Sequence, residues 1–366
     1  MSALPYPPRV ELARLETPVV PLTRLSARVG VELLCKRDDL TGAALSGNKI
    51  RKLEFVLADA RDRGHEMVIT CGGEQSNHAR ATALAAARLG LGCHLLLRTP
   101  DPGAPPRATG NILLDRLAGA SIRWISPDDY PRRDAIMEQE ATRLAAEQGV
   151  RAYPIPEGAS NALGSWGYIR CVEELASQLG RRPATLVFAV GSGGTAAGLI
   201  AGCRLLDLPY RLVGVCVTDD RPTFQRRIGA ILDQMAADHG VDVRTPPGQI
   251  EIWQDHVGRG YALSRDEELA CIHRVAQLEG IVLDPVYSGK AMFGLLTELE
   301  RGAELPTPVV FLHTGGLFGL FPKAAQLEPL LGGSTAMAAA AGRGPAAAPL
   351  PHPRVPDLPR RRGHHD

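Results

Sequence analysis

The stretch Leu186-Val-Phe-Ala-Val190, Gly191-Ser-Gly-Gly-Thr195, Ala196-Ala-Gly-Leu-Ile200 decides how this chain is read. An apolar run ends in glycines and passes straight into small residues of helical habit, so a strand turns directly into a helix. Such a turn aims free backbone N–H groups and the positive end of a helix dipole at one point, which suits a phosphate. Gly191, Gly193 and Ala196 also satisfy the loose dinucleotide fingerprint. The next apolar run ends at Asp219 and Asp220, where a ribose-binding acid could stand. A glycine-rich turn that binds nothing is the third reading.

Outward from this turn, short apolar runs alternate with longer segments of helical period between about residues 32 and 322, the grammar of a parallel α/β protein. The spacing predicts strands at 31–36, 67–71, 93–98, 122–125, 152–155, 186–190, 212–217, 250–253 and 309–313. It predicts helices at 48–63, 77–89, 132–147, 163–179, 194–206, 222–239, 266–278 and 290–300, several closed by glycine, with a Pro/Gly loop at 99–109. From residue 332 the chain becomes rich in Ala, Pro and Arg with almost no bulky apolar residues, so 332–366 is expected to be a disordered tail. At 366 residues, two domains are expected.

Hydrophobic residues make up 45% of the chain, and 41 basic against 40 acidic side chains leave a net charge of +1. That balance argues against a nucleic-acid or anionic-membrane partner and for a small molecule. No apolar run reaches membrane-spanning length and the first ten residues lack the pattern of a secretory signal, so a cytoplasmic protein is expected. Seven cysteines stand singly, without a C-x-x-C pair, and read as reduced and mostly buried. The ten histidines never fall in zinc-binding spacing, so no metal is expected. Lysine occurs only at Lys36, Lys49, Lys52, Lys290 and Lys323, so amine chemistry has few candidates.

Two further loops open helices. In Ser46-Gly-Asn-Lys49, a lysine at a helix mouth, facing the positive end of the helix dipole and beside Arg51 and Lys52, would have its pKa lowered toward a usable amine, favouring Schiff-base chemistry; an ordinary solvated lysine is the plainer reading. The same four residues match S-x-x-K of serine acyl-transferring enzymes, with Ser46 as nucleophile and His313-Thr-Gly315 in place of K-T-G, although S-D-N is missing. In Cys71-Gly-Gly-Glu-Gln-Ser-Asn-His78, Ser76 and Asn77 are natural helix caps, yet the same helix start offers a carboxylate seat. One phosphate seat, one carboxylate seat and a reactive lysine would together describe a pyridoxal phosphate enzyme acting on an amino acid.

The chain resembles the D-cysteine desulfhydrase and 1-aminocyclopropane-1-carboxylate deaminase family of fold-type II pyridoxal phosphate enzymes, from about Pro18 to Leu320. Seven motifs in the family's order carry the resemblance: Lys36-Arg-Asp-Asp39, Ser46-Gly-Asn-Lys49-Ile-Arg-Lys-Leu-Glu54, Gly72-Gly-Glu-Gln-Ser-Asn-His-Ala-Arg80, Asn161-Ala-Leu-Gly164, Gly191-Ser-Gly-Gly-Thr195, Asp284-Pro-Val-Tyr-Ser-Gly-Lys290 and His313-Thr-Gly-Gly316. The resemblance implies an α/β protein with twisted, parallel-type sheets flanked by helices. A large domain would comprise 1–50 and 157–331 and a small one 51–156, with pyridoxal 5'-phosphate in the cleft. Lys49 would hold the cofactor covalently, and Gly191, Ser192, Gly193, Gly194 and Thr195 would cradle its phosphate with help from Lys52. Asn77 would bond the ring hydroxyl, Ser288 and Thr314 would face the pyridine nitrogen, and Ser76, Asn77, His78 and Gly158 would hold the substrate. Tyr287 and Tyr261 would stand near the reacting carbon; without the resemblance both read as core. A homodimer is implied as well.

The deaminase branch places Glu after the tyrosine of D-P-V-Y and Leu after the histidine of the last motif, where this chain has Ser288 and Thr314. It therefore resembles the desulfhydrase branch, whose reaction is α,β-elimination: D-cysteine to pyruvate, ammonia and hydrogen sulfide. A neutral hydroxyl facing the ring nitrogen makes a weaker electron sink, in keeping with prompt loss of a β-leaving group. Glu74 and Glu157 depart from the family pattern and bear on specificity, so L-cysteate, β-chloro-D-alanine, the cyclopropane acid and a specialised biosynthetic lyase stay open as alternatives. A nicotinamide-dependent oxidoreductase and a non-catalytic cofactor-binding protein are the rivals from other classes.

Overall fold

In a computed structural model, residues 4–331 are described, and the tail expected at 332–366 lies outside them. The chain runs β1 (Val19–Pro21), α1 (Thr23–Val29), β2 (Leu33–Lys36), α2 (Asn48–Asp62), β3 (Met67–Gly73), α3 (Asn77–Leu89), β4 (Gly92–Arg98), α4 (Gly110–Leu117), β5 (Ser121–Ile125), α5 (Arg133–Gln148) and β6 (Ala152–Pro154). It continues through α6 (Ala162–Leu179), β7 (Ala184–Val190), α7 (Gly194–Leu205), β8 (Tyr210–Cys216), α8 (Arg221–His239), β9 (Ile252–Trp253), α9 (Asp266–Glu279), α10 (Ser288–Glu300), β10 (Val309–Leu312) and α11 (Ala324–Leu331). Residues up to Leu327 form one compact unit, and the end of α11 falls in a second.

The strands make two sheets, in the orders β1-β2-β10-β7-β8-β9 and β5-β4-β3-β6. Every pairing is parallel except that of β1 with β2. Strands such as β3, β4 and β7 are buried almost from end to end, as parallel strands covered by helices on both faces must be, and this is why they read as continuous apolar runs. All seven cysteines are free and buried.

All nine expected strands form. The chain adds β1, three residues ending in proline, together with α1, α4 and α11. The start of α10 falls at Ser288, two residues earlier than the apolar period suggests, because the Asp284 carboxylate accepts from the backbone N–H groups of Val286, Tyr287 and Ser288 at 3.0, 3.0 and 2.6 Å. Such side-chain acceptance satisfies amides that a helix start leaves unpaired.

Parallel strands have one consequence for function: their carboxyl ends, and the helix starts that follow, face the same way. The ends of β3, β4, β7, β8 and β10 carry Gly73, Arg98, Gly191, Thr218 and Thr314 or lead directly into them. The register sets Gly73 beside Arg98.

Candidate active site

Lys49 lies in the first turn of α2. Gly47, at φ 93°, lets the chain turn in against the segment after β10, where the Asn48 N–H donates to the Thr314 carbonyl at 3.0 Å. A Cβ at Gly47 would lie 2.9 Å from that same carbonyl oxygen, so a side chain there would push the segments apart. The lysine amine lines a cavity of about 290 Å³ and donates to Asn48 Oδ1 at 3.3 Å. Enclosure lowers its pKa from 10.5 to about 8, against the opposing pull of Glu157 and Asp284. The sequence pointed to the positive end of the helix dipole and to Arg51 and Lys52 as the cause. Instead Arg51 turns away to Asp38 and Glu174, and burial does the work.

A neutral amine is therefore within reach near physiological pH. Competitive acetylation with acetic anhydride should show Lys49 titrating near pH 8, with reactivity rising as pH climbs through that value, rather than near the ordinary lysine pKa of ~10.4. Half-maximal reactivity above about pH 10 would count against the enclosed amine.

The glycine turn faces Lys49 across the cavity, with Gly191, Ser192, Gly193 and Thr195 among the lining residues. It is packed too tightly for side chains: a Cβ on Gly191 would come within 2.8 Å of Tyr287 Cε1, one on Gly194 within 2.8 Å of Ser160 Cα, and one on Gly158 within 2.6 Å of Ser192 Oγ. Gly193, at φ 95°, caps α7. Asn48 Nδ2 donates to Thr195 Oγ1 at 3.2 Å, tying the turn to the first turn of α2. Lys52 stands behind the turn, donating to Ser160 Oγ at 3.1 Å, which lies 2.8 Å from Ser192 Oγ. Lys52 is fully buried, and burial with Lys49 nearby pushes its pKa well down. A backbone cradle without room for side chains, with two enclosed amines beside it, fits an aldehyde that carries a phosphate.

Ser76 caps α3 by accepting from the Ala79 N–H at 3.1 Å, as a helix-start serine should, and it also lines the cavity. Asn77 and His78 line it too, Asn77 held by a bond from Asn111 Nδ2 to its Oδ1 at 2.9 Å. Thr70 Oγ1 donates to the Ile155 carbonyl at 2.8 Å, so it accepts from His78 Nε2, which must carry the proton. Burial, Lys49 and Lys52 keep that ring neutral. Tyr261 and Tyr287 meet edge to face with hydroxyls 3.3 Å apart, and burial raises both above the ordinary tyrosine pKa.

Gly158 and Thr314 also line the cavity. Ser288 stands outside the lining: its hydroxyl donates to Asp284 Oδ1 at 2.6 Å and accepts from the Asp284 N–H at 2.8 Å. Glu157 is inside, accepting from Tyr130 OH at 2.8 Å with Arg133 Nε 3.4 Å away, whereas Glu74 accepts from Thr99 Oγ1 at 2.6 Å away from the lining. Sequence reasoning missed Arg98, Tyr130, Arg133 and Arg227, all of which line the wall, and singled out Asp219, which pairs with Arg227 there, only as a candidate ribose-binding acid. Arg98 closes β4 and could have been found by scanning strand ends, as Asp219 was; nothing local marks Tyr130 or Arg133.

Two rival readings lose their residues here. Asp220 caps α8 through the Thr223 N–H at 2.8 Å and Asp219 pairs with Arg227 at 2.7 Å, so neither acid waits for a ribose. Ser46 is buried beside Arg80, whose Nη2 donates to its carbonyl at 3.1 Å, and it does not line the cavity with Lys49.

Fold and site together define an enzyme that uses pyridoxal phosphate, and the pyridoxal-phosphate dependent enzyme family matches residues 10–315. The chain belongs to that family. It is 42% identical to the bifunctional D-cysteine desulfhydrase/1-aminocyclopropane-1-carboxylate deaminase, mitochondrial, of Arabidopsis thaliana over 88% of this chain and 81% of that protein. It is 40% identical to the D-cysteine desulfhydrase of Yersinia enterocolitica, covering 86% and 95% of the two chains. A crystal structure of an ACC deaminase homologue superposes with a TM-score of 0.81 at 38% identity, over 88% of this chain and 96% of that one. Threonine deaminase isoform 2 of Solanum lycopersicum (TM-score 0.58, 19% identity, 87% and 84% covered) shares the fold. Among the described residues, no helix is long and apolar enough to cross a membrane.

Proposed function

We propose that the chain catalyses α,β-elimination on a small β-substituted amino acid, with D-cysteine giving pyruvate, ammonia and hydrogen sulfide as the reading the site supports best. The observation that carries it is one cavity lined by the Lys49 amine, the Ser76 hydroxyl at the start of α3, the glycine turn and the Tyr261–Tyr287 pair. When bound, pyridoxal phosphate draws electrons from the substrate's α-carbon.

The chain's own residues then divide the work. Lys49 is the covalent anchor and, once free and neutral, the general base for the Cα proton. Ser76 Oγ and the amides at Asn77 and His78 hold the substrate carboxylate, Asn77 bonds the ring hydroxyl, and Gly158 closes the wall beside it. Gly191, Ser192, Gly193, Gly194 and Thr195 seat the phosphate while Lys52 braces the turn through Ser160. Tyr287 and Tyr261 stay protonated and donate at the leaving side. The Cβ–S bond breaks with its electron pair on sulfur, which leaves as hydrosulfide.

Thr314, a neutral hydroxyl residue on the cavity wall, supports elimination over opening of a cyclopropane ring. The two sheets would serve as the two domains (1–50 with 157–331, and 51–156) of a cytoplasmic homodimer, which light scattering would test. The substrate is tested by assaying the holoenzyme with D-cysteine, L-cysteine, L-cysteate, β-chloro-D-alanine and 1-aminocyclopropane-1-carboxylate. Pyruvate with the highest kcat/KM from D-cysteine is expected; 2-oxobutanoate from the cyclopropane acid as the main product would overturn the assignment.

A further inference from the structure

Four charged pairs or single charges stand on the cavity wall, and they do not balance. Arg133 has Glu157 at 3.4 Å and Arg227 has Asp219 at 2.7 Å. Lys49 is committed to the cofactor in the function proposed above. Arg98 is left over: among the described residues its guanidinium makes no hydrogen bond and no ion pair. Its nitrogens keep contact with solvent, and Arg98 lines the cavity.

Two tyrosines hold this guanidinium in place. Its Cζ sits 4.6 Å from the centre of the Tyr130 ring and 5.3 Å from that of Tyr261. Arg133 stacks on Tyr130 as well, at 4.9 Å, and the Tyr130 hydroxyl is spent on Glu157. Aromatic contacts orient a guanidinium without neutralising it and leave its N–H edge free for a planar oxygen acid. Arg98 ends β4 in register with Gly73 of β3, and Tyr261 lies over Gly73, where an added Cβ would meet its ring at 3.1 Å. The cation therefore stands near the start of α3 and against Tyr261, one of the two tyrosines that the function proposed above assigns to the leaving side.

We infer that Arg98, clamped by Tyr130 and Tyr261, is a subsite for a second anionic group, so that the substrates also include β-substituted amino acids whose leaving group carries a carboxylate. The inference rests on the proposed elimination and extends its substrate class beyond cysteine itself. For an S-carboxymethyl cysteine, the Cα proton passes to the enzyme base and the Cβ–S bond breaks with its pair on sulfur. The thiolate of thioglycolate departs, and water completes the conversion to pyruvate and ammonia.

The test compares two thioethers of one size on the holoenzyme, S-carboxymethyl-D-cysteine and its neutral S-carbamoylmethyl analogue. Their dissociation constants are read from the shift in the cofactor's visible absorbance, and kcat/KM from pyruvate. A charge-assisted bond to Arg98 should favour the carboxylate by about tenfold or more in binding. Arg98→Gln should bring the ratio of the two constants to near one, and Arg98→Lys should keep part of it. Because each ratio is taken within one protein, a general loss of folding or activity does not imitate the result. Equal binding of both thioethers by the unaltered enzyme, or a ratio unchanged in Arg98→Gln, overturns the subsite and assigns Arg98 to the α-carboxylate or to packing. Failure of the elimination reading looks different: the binding ratio persists while no thioether or cysteine yields pyruvate.

Discussion

Lys49→Ala is expected to lower turnover of the preferred amino acid by about 10⁴-fold or more, since the change removes both the covalent anchor and a general base, and a positioned base alone contributes roughly 10²–10⁴-fold. The same protein should lose the visible absorbance that follows loading with pyridoxal phosphate, and borohydride should no longer fix the cofactor at position 49. Folding should not suffer. The amine is enclosed and, among the described residues, its one hydrogen-bond partner is Asn48 Oδ1 at a long 3.3 Å, so an alanine leaves no strong acceptor stranded. A thermal midpoint close to that of the unaltered protein, together with lost turnover, separates chemistry from collapse. Lys49→Ala retaining more than about 1% of activity would move the base elsewhere, and the neutral His78 ring would be the first place to look.

Lys49 was legible because its motif is local: Ser-Gly-Asn-Lys opens a helix, and the glycine turn at 191–195 and the Gly-Gly-Glu-Gln-Ser-Asn loop follow strands in the same way. Parallel order then brings all three to one side, so residues far apart in sequence converge without any further signal. What the motifs could not convey was the opposite wall. Tyr130 and Arg133 come from a short turn and the first residue of α5, and only the packing of that turn against Arg98 and Glu157 makes them a cluster. The short β1 and α4 escaped because three residues ending in Pro21, or eight following a Pro/Gly loop, show too little period to stand out. The cause of the low Lys49 pKa was misread for the same reason: Arg51 is adjacent in sequence, but its direction is set by acids from elsewhere in the fold.

Those acids support the second large effect. Arg51 is buried, with Nη2 on Asp38 Oδ1 at 2.8 Å and Nη1 on Glu174 Oε1 at 2.7 Å, while Lys36 Nζ reaches Glu174 Oε2 at 2.7 Å and Tyr168 OH donates to Asp38 Oδ2 at 2.7 Å. The cluster locks α2 to α6 and to the segment after β2, and so fixes the helix whose first turn carries Lys49. Arg51→Met should cost about 3–5 kcal/mol, the range for removing one member of a buried ionic network, because Asp38 and Glu174 stay behind with Lys36 as the remaining cation. In chemical denaturation this appears as a lower midpoint.

The pH dependence distinguishes lost charge balance from lost packing. In the unaltered protein, Arg51 above all holds the Asp38 carboxyl below its ordinary pKa despite burial, and Arg51 with Lys36 does the same for Glu174. Groups with depressed folded pKa values contribute stability above their unfolded pKa values and lose it as pH falls through the folded ones, so this contribution is complete at pH 7 and disappears in strong acid. Without Arg51, burial is left to push Asp38 upward, and a carboxyl with a raised folded pKa gains relative stability as pH falls. The gap between the two proteins should therefore narrow from pH 7 toward pH 4. A gap below about 1 kcal/mol at pH 7, or one that does not change with pH, would mean that the arginine serves as filler and that the position of Lys49 is fixed by the Gly47–Thr314 contact alone.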